Sequence, residues 1–320
     1  MARKICWFSA ILRYGRNLSN IGYREGEDSL RKKNNVVAYF FLFPALIMFV
    51  LFFIYPNLEV IYLSLFKWAG ISPKKTFIGF YNFQVLFSDL DFLKAVFNTL
   101  MIAFQSMVVQ VPMALILAIL LNKKMKGNGT FSTIVFLPMV ISLVAVGIIW
   151  RWLYDPEYGA INLILGKIGL QGLQHAWLGD VNTAFLSVLA TINWVYIGFY
   201  TVIFMSALKG ISPEIFEAAK VDGFNEFQTT LRIRIPMLKE TIGVMFIMCI
   251  SGSFKSFDLI WVMTGGGPVN STEIVTTYLY RMAFRRMESG YASAISVTIF
   301  LICLVLIALQ LKLMKITAQE

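Results

Sequence analysis

The sequence predicts an all-α integral membrane protein that crosses the bilayer six times and keeps both termini on the cytoplasmic side. Three observations lead there. Hydrophobic residues make up 58% of the 320 positions and charged residues only 14%, against roughly a quarter charged in soluble domains. The apolar residues come in six runs close to the roughly 20 residues that a helix needs to cross hydrocarbon. Lys and Arg cluster at the ends of those runs and favour one side. The net charge of +10 is thus a property of membrane flanks, and it does not call for a nucleic-acid partner.

Residues 1–35 are basic with scattered apolar side chains (Trp7, Phe8, Ile11, Leu12). This pattern fits an interfacial helix on the inner leaflet, or a tail that only enforces orientation. A signal peptide fits less well, because Ser9 breaks the short apolar stretch and no small-residue cleavage site follows. The spans are expected near 36–58, 95–121, 131–150, 183–208, 241–263 and 291–311. The second is free of charge between Lys94 and Lys123, whereas Lys255 and Asp258 interrupt the fifth. With the N-terminus inside, 18 of the 28 basic residues lie in inner segments and nine in outer ones, with Lys255 left in a span. Pro44, Pro56, Pro112 and Pro138 fall in or at the ends of the runs and predict kinked, packed helices.

Several classes of chemistry are excluded by count or spacing. His175 is the only histidine, and Cys6, Cys249 and Cys303 are far apart, so neither a metal-ligand spacing nor a disulfide framework exists. No H-E-x-x-H or G-x-S-x-G occurs. Gly166-Lys167 is followed by Ile168, and Ile161 stands where a phosphate loop needs its first glycine. The chain is therefore not expected to be an enzyme or to bind a cofactor itself.

Between the fourth and fifth spans lies a cytoplasmic insertion, 209–240. Ser212 can cap a helix, Pro213 suits its first position, and Gly223 can supply the left-handed residue that ends it. A helix over 213–222 follows, then a second from about Asn225 to Arg232, with Pro236 marking the return to the membrane. Ala218 and Ala219 would let another surface approach the backbone. On these grounds alone the segment is either a compact helix-turn-helix or an ordinary loop.

Glu217, Ala218, Ala219, Gly223, Ile233 and Pro236 stand at a spacing that resembles the signature of binding-protein-dependent permeases of the ABC importer superfamily. Ile235, where a Leu is usual, and Leu231, where a Phe is common, depart from it conservatively. The resemblance implies a type I importer transmembrane domain over 36–316. In it, this segment, with Asp222, docks as a coupling helix on an ATP-hydrolysing subunit. Thr264-Gly265-Gly266-Gly267-Pro268, Asn270-Ser271-Thr272, Tyr278, Tyr280, Ala283-Phe284 and Gly290-Tyr291-Ala292-Ser293-Ala294 are similar to the carbohydrate-importing permeases of the maltose type. Together the two resemblances cover about 90–320.

A sugar path needs aromatic faces and hydroxyl or amide groups on one side of a helix. In the fourth span Ile192, Tyr196 and Phe199 share a face, with Asn193 and Trp194 beside it; in the fifth, Ser251, Lys255 and Asp258 share another, with Ser253 and Ser256 adjacent. The resemblance implies Tyr196, Phe199, Ser253 and Ser256 as sugar contacts; helix packing is the plain alternative. Lys255 and Asp258, three apart, form either a self-neutralising pair or a cavity-facing cation that favours an acidic sugar. The expected partners are a second permease chain, two ATPase subunits that hold ATP and magnesium, an extracytoplasmic solute-binding protein, membrane lipid and a sugar. The expected place is the plasma (inner) membrane of a bacterium or archaeon. The competing function is a stand-alone secondary transporter or channel.

Overall fold

The computed structural model describes residues 41–122 and 127–318. The expectations for 1–35, for the start of the first span and for Lys123 to Lys126 lie outside them. The chain divides into two units at Val60/Ile61.

Helix α1 runs Phe41–Leu63. In the second unit a small antiparallel hairpin, Phe66–Lys67 with Thr76–Phe77, is the one departure from all-α among the described residues. Then come α2 (Tyr81–Ser88), α3 (Leu90–Leu121), α4 (Asn128–Val140), α5 (Leu143–Leu153), α6 (Ala160–Lys167) and α7 (Val181–Lys209). The rest of the chain forms α8 (Pro213–Val221), α9 (226–237), α10 (Lys239–Lys255), α11 (Asp258–Met263), α12 (275–285) and α13 (Ser289–Ala318).

Among the described residues α1, α3, α7 and α13 are each long and apolar enough to cross a bilayer, and α4 with α5 makes a fifth if counted as one bent span. The span expected at 131–150, with Pro138 expected to kink it, is found as this bent pair. Pro138 weakens the last turns of α4, the backbone turns extended at Ile141 and Ser142, and α5 leaves at 99°. The expected fifth span, 241–263, is also broken. α10 stops at Lys255, and Ser256 (ψ 130°) and Phe257 (φ −147°, ψ −62°) leave the helical region before α11 begins. α10 alone, with 17 residues, is roughly 26 Å long at about 1.5 Å per residue.

Prolines shape the long helices in a repeated way. Widened π turns occupy Val50–Ile54, Ser106–Gln110 and Thr230–Arg234, each ending two residues before Pro56, Pro112 or Pro236. In all three the residue just before the proline donates its N–H five residues back: Tyr55 to Val50, Val111 to Ser106 and Ile235 to Thr230. A proline ring crowds the carbonyl four residues earlier, and the wider turn moves that carbonyl aside. A fourth π turn, Arg281–Arg285, has no proline after it.

Three apolar clusters hold the second unit. Val111, Ala114, Tyr200, Phe204, Met245 and Cys249 join α3, α7 and α10 toward the Lys209 end of α7. Ile102, Val146, Val188, Ile192, Leu259 and Ile260 join α3, α5, α7 and α11 toward its other end. Phe92, Ile250, Phe254, Tyr278, Met282 and Ile295 tie α3, α10, α12 and α13.

Candidate functional site

At the Lys209 end of α7 the chain makes a rigid elbow. Pro213 starts α8, and Gly223 at φ +79° ends it. The Gly223 N–H donates to the Lys220 carbonyl at 3.1 Å and the Phe224 N–H to the Ala219 carbonyl at 2.9 Å. This is a two-bond helix stop that needs a left-handed residue at Gly223. Asn225 and Gln228 then cap α9 reciprocally, at 2.8 and 3.0 Å. The second helix is longer than the expected 225–232, because the π turn before Pro236 carries it to Met237.

The elbow has two faces. Ile215, Phe216 and Ala219 turn inward, Ala219 being 4% exposed, and the first two pack on the Leu208–Ile211–Leu238 cluster. Arg234 lies over the Phe216 ring at 5.2 Å and pairs with Glu226 at 2.9 Å. Glu217, Ala218, Asp222, Gly223 and Pro236 are exposed, and Ile233 is half-buried. Val221, 88% exposed, joins them; sequence reasoning missed it, although its place one turn from Glu217 on a short helix was a usable signal. Of the expected set, only Ala219 points away from the open face.

The expected path residues are less gathered than helical spacing implied. Ile192 packs with Leu259 and Ile260, and Phe199 stands edge-on to Tyr200 at 5.4 Å. Trp194 stands edge-on to Trp150 at 5.5 Å. Asn193 keeps a buried amide oxygen without a hydrogen-bond partner. Ser253 is buried, and its hydroxyl donates to the Cys249 carbonyl at 2.8 Å. Ser256 ends α10, and its carbonyl accepts from the Thr276 hydroxyl. The helix break corrects the expected Ser251–Lys255–Asp258 face: Lys255 and Asp258 are both exposed, lie on different helices, and form no ion pair among the described residues. Asp258 instead lies within electrostatic reach of Tyr196.

At the other end of α7 the glycine-rich loop is held by long-range bonds. Asn98 donates to the carbonyls of Ser271 (3.0 Å) and Glu273 (2.8 Å), and Asn270 donates to Asp91 at 3.0 Å. Glu273 is fully buried, accepts from Thr277 at 2.7 Å and pairs with Arg281, which also donates to Asn270 at 3.0 Å. Gly266, at φ +91°, lies against this pair; a Cβ there would come within 2.5 Å of the Glu273 carboxylate. Burial pulls the Arg281 guanidinium below its ordinary pKa; Asp91 opposes this, while Arg286 and Arg285 add to it. Beside the loop, Asp89 caps α3 through the Asp91 and Phe92 N–H groups and accepts from Tyr278 and from Tyr291, the latter at 2.9 Å. Burial raises the Asp89 pKa, but these four hydrogen bonds outweigh it and leave the carboxyl below its ordinary value.

Against this geometry the comparisons with known proteins are direct. Residues 110–315 match the family described as binding-protein-dependent transport system inner membrane component. The probable ABC transporter permease protein YurN of Bacillus subtilis is 39% identical over 290 residues, covering 90% of this chain and 99% of YurN. The diacetylchitobiose uptake system permease protein NgcF of Streptomyces coelicolor is 33% identical, over 87% of this chain and 82% of its own. The crystal structure of a bacterial ABC transporter involved in the import of the acidic polysaccharide alginate superposes with a TM-score of 0.77 at 27% identity, over 88% of this chain and 96% of that one. The chain belongs to the binding-protein-dependent transport system inner membrane component family, the permease subunits of ABC transporters.

Proposed function

We propose that this chain is one half of the membrane path of an ATP-driven sugar importer, crossing the inner membrane six times with both ends in the cytoplasm. The observation that carries the proposal is the elbow. α8 is anchored by Ile215, Phe216 and Ala219 and fixed at Gly223, so a push on its exposed face is transmitted to α7 and α10 and not absorbed by loop motion. An ATPase subunit that seats Glu217, Ala218, Val221 and Asp222 would thereby drive the spans. The basic residues on the flanks of α8 and α9 support a cytoplasmic elbow, where the partner would hold ATP and magnesium.

The complete importer then contains a second permease chain, two ATPase subunits and an extracytoplasmic binding protein. Nucleotide shifts the path between inward-open and outward-open arrangements because it binds the closed ATPase pair preferentially. A sugar substrate is supported by the relatives, one named for diacetylchitobiose uptake and one solved structure for alginate import. Tyr196 and Asp258, which the fold brings into electrostatic reach, with Phe199, Asn193 and Trp194 on the same helix, are the side chains to line the path. Ser253, with its hydroxyl occupied by Cys249, and Ser256 contribute through backbone shape. Co-purification of the ATPase and uptake of labelled diacetylchitobiose test the proposal together. Glu217→Lys should abolish uptake while the binding protein still captures sugar; full uptake by that variant contradicts it.

A further inference from the structure

Next to the glycine-rich loop is a cavity of about 500 Å³, within the usual range of small-ligand sites of about 300–1,000 Å³. Arg151 from the end of α5, and Arg281 and Arg285 from α12, line it around Trp261, Thr264 and Gly265. A neighbouring cavity shares Arg151 and Thr264 and reaches Ala176 and Gly179 just before α7 begins, whereas α8 follows its other end, a helix length of roughly 43 Å away at about 1.5 Å per residue.

The charges in this cavity are unbalanced. Arg281 is already bound to Glu273 and Asn270. Arg151 and Arg285 have no carboxylate in ion-pairing range among the described residues. Arg285 lies over the Trp261 ring at 5.4 Å. A guanidinium carries forked N–H donors that recognise a planar anion with two parallel hydrogen bonds, and Trp261 gives Arg285 an aromatic face to rest on. Trp261, Phe257 and Tyr280 form a cluster of three mutually touching rings, at 5.5, 4.8 and 5.3 Å, which makes the wall aromatic. The π turn that carries Arg281 and Arg285 is also the one without a proline to account for it, and such turns recur at functional sites.

Building on the sugar-importer reading, we propose that this cavity is a carboxylate-recognition site at the outer mouth of the path, which takes the acid group of a uronic-acid-containing oligosaccharide. Concavity and the aromatic wall favour a sugar ring over the broad, flat contact of a protein partner. The cation that selects for acid is thus the arginine group, not Lys255.

The test uses the whole complex in lipid nanodiscs without its binding protein, with tri-galacturonate and maltotriose as probes. Tri-galacturonate should bind at least about tenfold more tightly than maltotriose, and Arg151→Gln with Arg285→Gln should remove about tenfold of that preference. Arg285→Lys, which keeps the charge but not the fork, should fall between. If the double variant does not assemble, raising salt from about 50 to about 500 mM on the unaltered complex gives a second measure, and tri-galacturonate affinity should fall steeply. Equal binding of the two sugars, an unchanged double variant or salt-independent binding overturns the proposal. So does a double variant that keeps tri-galacturonate but loses the binding protein, which would make the cavity a protein-docking surface. ATP hydrolysis stimulated by the binding protein, measured on the same preparation, reports on the importer reading separately: its absence would refute that reading whichever sugar binds.

Discussion

At the Lys209 end of α7 the chain is organised by neighbours in sequence. Pro213, Gly223 and the Asn225–Gln228 box act within a few residues of where they stand. At the Val181 end, order comes from residues far apart: Asn98 holds the loop at 271–273, Asp91 holds Asn270, and Asp89 receives Tyr278 and Tyr291. The first arrangement yields a firm handle with one bare face, suited to being pushed. The second yields a pinned loop around a polar cavity, suited to holding a group in place. A local device can be broken at one residue with little loss of stability, whereas a long-range one fails as a unit.

The largest effect expected is on transport. Gly223→Pro removes the N–H that closes α8 and forbids φ +79°. Uptake should fall to background while the purified permease still melts cooperatively, because Gly223 belongs to none of the three apolar clusters. Next is Glu273→Ala, which strips the partner from a guanidinium that is itself partly buried. Breaking such a pair costs about 3 kcal/mol, discounted for Arg281's access to solvent. A melt in detergent should show it, with Gly266→Ala weakened in the same direction.

Asp89→Ala should cost about 2 kcal/mol, combining a lost helix cap with two tyrosine hydroxyls left unpaired. The pH dependence has a definite sign. The Asp89 carboxyl sits below its ordinary 3.8 when folded, so its contribution is complete above about pH 4 and disappears as pH falls through the depressed value. Wild type and Asp89→Ala should therefore converge in stability under acid. Smallest in stability is Val221→Ser, within about 0.5 kcal/mol at so exposed a position. It should nonetheless lower ATP-driven uptake, and a variant with normal uptake would show that the exposed valine is not part of the docking face.

The same division explains what the sequence disclosed. Apolar length and caps are local signals, so the expected 183–208 is found as Val181–Lys209 and the expected 213–222 as Pro213–Val221. At Ser256–Phe257 the sequence shows two charges, Lys255 and Asp258, interrupting an apolar run, but not that the helix stops there; the chain leaves it where the Thr276 hydroxyl donates to the Ser256 carbonyl, a bond across 20 residues. The bend at Ile141–Ser142 follows Pro138 by three residues, and proline alone does not say whether a helix will kink, widen or stop. Pro56, Pro112 and Pro236 widen theirs. Arg151, Arg281 and Arg285 were visible only as outer-loop charge, because nothing in their spacing shows that they line one cavity.

The central claim is that α8 meets the ATPase and the glycine-rich loop does not. A photo-crosslinking amino acid placed at Ala218, and in a second variant at Val269, both exposed, tests it in the assembled complex. The account predicts a crosslink from position 218 to the ATPase subunit and none from 269. An ATPase crosslink from 269, or none from 218 in a complex that still hydrolyses ATP, would contradict it.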